Sequence, residues 1–79
     1  MYHFSNHSIE QLVKRNISQE VVLWVIANAS EKVIENYVTI YQNLVEENNI
    51  KYLLRVFVNE NKIPPTIITA YKTSKLKKY

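Results

Sequence analysis

The run Ile50-Lys51-Tyr52-Leu53-Leu54-Arg55-Val56-Phe57-Val58 decides the fold. Its side chains alternate. Tyr52, Leu54, Val56 and Val58 form an almost purely apolar set, and Lys51, Leu53, Arg55 and Phe57 form a mixed one. A period of two belongs to a half-buried strand, so the first set is expected to face a core and the second to face away.

Working outward, Glu46-Glu47-Asn48-Asn49 and Asn59–Lys62 read as turns on either side of this strand. Upstream, a short segment at Val33-Ile34 leads to a strand at Tyr37–Val45. Downstream, Pro64-Pro65 punctuates the start of a last strand near Thr66–Lys72, filled by the β-branched Ile67, Ile68 and Thr69. By alternation Val38, Ile40, Leu44, Ile68 and Ala70 are expected to look inward. Tyr37, Thr39, Tyr41, Asn43, Thr69, Tyr71 and Thr73 are expected to look outward. The uncovered face then gathers Tyr41, Arg55 and Tyr71 beside the lysines of the tail.

The first thirty residues carry a different period. Ser5 can cap a helix running to about Arg15, with Ile9, Leu12 and Val13 as its apolar stripe. Asn16 suits the left-handed position after it, and Ile17 can fold back on Leu12. Ser18 caps a second helix with Glu20 in its first turn. The run Val21-Val22-Leu23-Trp24-Val25-Ile26-Ala27 is apolar on every side, so part of it is expected to meet another chain, a second copy included. Its β-branched residues also fit a central strand, but the serine cap and the following Asn28-Ala29-Ser30 favour a helix. Helices followed by a meander of strands imply one α+β domain over residues 1–79, with the helices on one face of an antiparallel sheet.

Composition narrows the chemistry. Close to half of the 79 residues are hydrophobic, too many for a disordered chain. Without cysteine there are no disulfides or thiolate metal sites, and a reducing cytoplasm is the expected location. His3 and His7 stand four apart, but no other His or Cys completes a metal site, so neither metal nor cofactor is expected. No apolar run reaches the length of a membrane span. Glycine is absent, which excludes Gly-rich nucleotide-binding loops; Asn16, Asn28, Asn36, Asn48, Asn49, Asn59 and Asn61 stand near the element boundaries instead. The net charge of +3 conceals an asymmetry. Residues 1–60 hold five basic and seven acidic residues, whereas residues 61–79 hold five lysines and no acid. Such a cationic end, rich in hydroxyls and phenols, suits a polyanion such as RNA.

Arg55 flanked by tyrosines is a plausible phosphodiester site. Its guanidinium offers a fork for a phosphate and stabilises charge in a pentacovalent transition state. Tyrosine can stack on an unpaired base or pass a proton, and histidine titrates near neutral pH. These parts suit RNA cleavage without metal, in which the ribose 2′-hydroxyl attacks the adjacent phosphate. They also suit an RNA-binding module without catalysis, or a subunit that only binds proteins.

The segments Phe4-Ser5-Asn6-His7, Arg15-Asn16-Ile17-Ser18, Tyr52-Leu53-Leu54-Arg55-Val56 and Thr69-Ala70-Tyr71-Lys72-Thr73-Ser74-Lys75, with the closing Lys78-Tyr79, resemble a small bacterial domain-of-unknown-function family. That family is common in cyanobacteria and is usually grouped with RelE/ParE-type toxins of type II toxin–antitoxin modules. The resemblance implies a RelE-like fold, with two N-terminal helices packed on one face of a curved antiparallel sheet of three to four strands. It implies an endoribonuclease toxin held inactive by a small antitoxin and acting on RNA, often on the ribosome. Carried onto this chain, it implies Arg55 for the transition-state phosphate and His7 or Tyr71 for proton transfer. Arg15, Lys72 and Lys75 would hold the RNA backbone, and Thr73 or Ser74 would bond a phosphate oxygen. Tyr41, placed on the same face by alternation and not by the resemblance, is expected to contact the RNA beside them. Two departures stand out: family members often carry arginine where this chain has Gln11, and glycine where it has Asn16.

Overall fold

Serine caps start both helices. A computed structural model of the chain describes residues 1–75, and the closing Lys78-Tyr79 of the tail lies outside them. After a two-residue strand β1 (His3–Phe4), the Ser5 hydroxyl accepts the Ser8 amide and opens α1 (Asn6–Lys14). Asn16, at φ 54°, turns the chain out of the helix. Its amide bonds Val13 O at 3.2 Å and the Ile17 amide bonds Leu12 O at 2.9 Å, the paired bonds of a Schellman stop. Ser18 likewise accepts the Val21 amide and opens α2 (Gln19–Ala27). The helical alternative for the Val21–Ala27 run is the one adopted.

Four longer strands follow: β2 (Glu31–Glu35), β3 (Val38–Glu47), β4 (Ile50–Asn59) and β5 (Thr66–Thr73). With glycine absent, asparagine makes the tight loops. Asn36 opens the β2–β3 loop at φ 56°, and Asn48 and Asn49 form the β3–β4 loop at φ 51° and 66°. Two consecutive left-handed residues match the right-handed twist of a hairpin.

The sheet corrects the expected fold. It has five strands in the order β1-β5-β4-β3-β2, and it is mixed, because β1 runs parallel to β5 through His3–Thr66 and Phe4–Ile67. The expected sheet of three to four antiparallel strands is therefore too small and of the wrong kind. Strand β1 is too short to show a period. In β2 only Val33 and Ile34 are apolar, because an edge strand is guarded by charges such as Glu31, Lys32 and Glu35.

The helices cover one face. α1 lies against β5, and α2 lies across β3 and β4. The core joins Leu12 and Ile17 to Val22, Val25, Tyr41, Leu54, Val56, Val58, Ile67 and Ala70. The inward set of β4 is as expected there, whereas β3 presents the opposite face from the one expected. The loop at Asn48-Asn49 pairs Glu47 with Ile50, which places Tyr41 opposite Val56 and Gln42 opposite Arg55. Thr39 and Tyr41 therefore point to the helices, and Val38, Ile40 and Leu44 point away. An irregularity of pairing at Phe57/Val58 puts Ile67 into the core, where Ile68 was expected. In α1, Leu12 is buried but Val13 is exposed.

Candidate functional site

The face away from the helices carries a row of polar side chains across four strands. Register sets Glu31 of β2 opposite Gln42 of β3, Gln42 opposite Arg55 of β4, and Arg55 opposite Tyr71 of β5. The hydrogen bonds follow the register. Gln42 Nε2 donates to Glu31 Oε2 at 3.3 Å, Arg55 Nε donates to Gln42 Oε1 at 3.0 Å, and Arg55 Nη1 donates to the Tyr71 hydroxyl oxygen at 2.9 Å. The Arg55 guanidinium also lies 5.7 Å from the Phe57 ring centre and 5.9 Å from that of Tyr71. Ile40, Gln42 and Leu53 on this face are buried although the helices lie on the other side. Dry flanks strengthen charged hydrogen bonds.

Tyr71 connects this row to an open groove of about 450 Å³, lined by Arg15, Tyr52, Tyr71, Lys72, Thr73, Ser74 and Lys75. The groove follows the stretch of β5 beyond Ile67, where β1 no longer pairs with it. Arg15, just past the end of α1, reaches this edge and donates from Nη1 to Ala70 O at 2.7 Å and to the Thr69 hydroxyl at 3.1 Å. Lys72 is committed as well. Its ammonium bonds Glu47 Oε1 at 2.6 Å and Asn16 O at 3.2 Å, and lies 5.1 Å from the centre of the Tyr52 ring.

The structure thus brings six of the nine expected residues to one groove (Arg15, Tyr71, Lys72, Thr73, Ser74 and Lys75) and attaches Arg55 to it through Tyr71. Two stand elsewhere. His7 is exposed on the first turn of α1 and does not line the groove. Tyr41, expected on the uncovered face, is packed in the helix-side core, and its hydroxyl donates to Glu60 Oε1 at 2.5 Å. Burial, the bond to Glu60 and the neighbouring Tyr2 push its ionisation well above the usual phenol range. It lines a separate groove with Lys32, Tyr37 and Glu60.

A family model described as a domain of unknown function, DUF4258, matches residues 4–72. The chain belongs to that family. No curated protein and no solved structure matches it. The DUF4258 span takes in Arg15, Gln42, Arg55 and Tyr71 and ends at Lys72, so Thr73, Ser74 and Lys75 fall just beyond it.

Sequence reasoning missed Gln42 and Tyr52. The signal for Gln42 was present: Asn48-Asn49 as a two-residue loop, rather than a four-residue turn from Glu46, places residue 42 opposite residue 55. Tyr52 was assigned only to the core. Among the described residues, no group of three His, Cys, Asp or Glu side chains is placed to hold a metal ion. No helix among them is long and apolar enough to cross a membrane.

Proposed function

We propose that this DUF4258 chain is the toxin of a type II toxin–antitoxin module, an endoribonuclease that cleaves RNA without a metal ion. The resemblance to RelE/ParE-type toxins in the segments around His7, Arg15, Arg55 and Tyr71 supports this reading. One observation carries it: Arg55 is bonded to Tyr71 at 2.9 Å, and Tyr71 lines a groove that also holds Arg15, Thr73, Ser74 and Lys75.

An arginine has donors and no acceptor, so the Tyr71 oxygen accepts from Arg55 and the phenol's own proton is directed elsewhere. In the proposed reaction a ribose 2′-oxygen attacks the adjacent phosphorus and its proton leaves to water. The bond from phosphorus to the 5′-oxygen breaks, and Tyr71 donates its proton to that oxygen. Arg55 stabilises the added negative charge of the pentacovalent state. Arg15 and Lys75 hold the backbone, and Thr73 or Ser74 bonds a phosphate oxygen. The products are a 2′,3′-cyclic phosphate and a 5′-hydroxyl. A small antitoxin would cover this groove in the cytoplasm, and the exposed Leu23 and Trp24 of α2 offer a surface for a second copy.

A second reading, RNA or ribosome binding without cleavage, is favoured by one specific fact. Among the described residues, neither a histidine nor a carboxylate lines the groove. Induced expression separates the two. The toxin reading expects growth arrest and new RNA ends bearing 5′-hydroxyls in the presence of a chelator, both lost in Arg55→Ala and in Tyr71→Phe. Toxicity persisting unchanged in both variants, with folding retained, rejects this site. Salt-dependent RNA affinity without new ends supports the binding module.

A further inference from the structure

We infer that Gln42 is a positioning residue for Arg55, held in turn by Glu31, so that the phosphate-binding group is aimed by a hydrogen-bonded row running across four strands. This inference rests on the reading of Arg55 as an RNA contact.

The chemistry of each member dictates its direction. Arg55 Nε can only donate, so the 3.0 Å contact requires the Gln42 oxygen there. The Gln42 nitrogen is thereby turned toward β2, where the Glu31 carboxylate, which only accepts, receives it at 3.3 Å. Apart from the Tyr71 hydroxyl, which can donate or accept, each polar atom named in the row has one role available, and the register sets Gln42 between Glu31 and Arg55. Gln42 is 7% exposed, with buried Ile40 and Leu53 on the same face. Its amide therefore has little water to replace a lost partner, which makes a buried polar side chain hold its geometry. An arginine carries several rotatable bonds. Fixing its Nε through Gln42 and its Nη1 through Tyr71 defines the plane of the guanidinium before a phosphate arrives. Residues without contact to the ligand act in this way by preparing the group that touches it.

The test combines a binding cycle with a direct view of Arg55. Affinity for a labelled single-stranded RNA oligonucleotide is measured for the wild-type chain, Gln42→Met, Arg55→Ala and the double variant, with thermal unfolding as the control for folding. Loss of the charge-assisted bond should weaken binding about tenfold in Gln42→Met. Because Gln42 acts through Arg55, the double variant should bind no worse than Arg55→Ala alone. Unchanged affinity in Gln42→Met, or additive losses in the double variant, overturns the inference while leaving the RNA reading in place if Arg55→Ala still weakens binding.

If Arg55→Ala binds as well as wild type, the RNA reading fails. The positioning role is then decided by nitrogen-15 NMR of the Arg55 Nε–H. That proton should exchange slowly with water in the wild-type chain, fast in Gln42→Met, and slowly again in Gln42→Glu, which keeps an acceptor at the same place. Slow exchange in Gln42→Met, or fast exchange in Gln42→Glu, overturns the assignment.

Discussion

At Tyr41 a single phenol ties the core to the β4–β5 loop. Its ring packs with Leu54 and Val56, and Lys32 places its ammonium 5.5 Å from the ring centre. Its hydroxyl donates to Glu60, a bond only the neutral phenol can make. Burial is the largest reason its ionisation is raised above the usual value of 10.0, and the Glu60 bond adds to it. The folded chain therefore holds this proton at pH values where the unfolded chain has released it. Its stabilising effect is complete below about pH 10 and is lost as pH rises toward the folded value. Urea unfolding at pH 9 and pH 11 should show a larger loss of stability in the wild-type chain than in Tyr41→Phe. Equal losses would show that Tyr41 does not govern the alkaline limb.

At the scale of elements, the stop of α1 is a single-residue device. Asn16 holds φ 54° so that Ile17 can fold back, with Ile17 buried in the core and Asn16 O accepting from Lys72. A side chain without a local polar group pays the left-handed conformation in full, so Asn16→Ala should lower stability by about 1 kcal/mol. Asn16→Gly should leave it equal or slightly higher, because glycine adopts the same backbone freely. Urea midpoints of the two variants check this, and an unaffected Asn16→Ala would remove the conformational argument.

The same stop shows what the sequence makes legible. Ser5, Ser18, Asn16 and Ile17 act through neighbours within a few residues, so their spacing announces both helices. The hairpin loop at Asn48-Asn49 is equally local, and its two residues rather than four set Gln42 instead of Ile40 opposite Arg55. Side chains on a strand change face at each step. A loop of two or of four residues alike sets Tyr41 opposite an inward residue of β4, so pairing contradicts the facing that alternation within β3 alone suggests. Alternation misled in β3 because both of its faces are in part apolar: Ile40 is buried on one and Tyr41 on the other. The pairing of β1 with β5 joins residues more than sixty positions apart and rests on two residues, which leaves no periodic trace. Tyr71 was placed with Arg55 correctly, because the outward set of β5 is opposite that of β4 throughout the stretch from Leu53 to Phe57.

Over the whole molecule, charge is divided along the chain, and the fold brings part of it back together. Glu47, from the acid-bearing portion, neutralises Lys72 of the basic portion at 2.6 Å. Lys72 is 19% exposed and Glu47 42%, so water screens the pair and its effect on stability is small. Its larger effect is on the field at the groove, where Glu47 withdraws one cation from any bound polyanion. If Arg15, Arg55 and Lys75 each meet one phosphate of a single strand, log affinity should fall with log salt at a slope of about −2 or steeper. Glu47→Gln releases Lys72 toward the groove and should steepen that slope by about 0.7, the increment for one more phosphate contact. The tail beyond Lys75 contributes equally to both chains and cancels in the comparison. Parallel salt plots for the wild-type chain and Glu47→Gln would mean that Lys72 serves the end of α1 alone, leaving Arg15 and Lys75 in the groove, and Arg55 beside it through Tyr71, to meet the phosphates among the described residues.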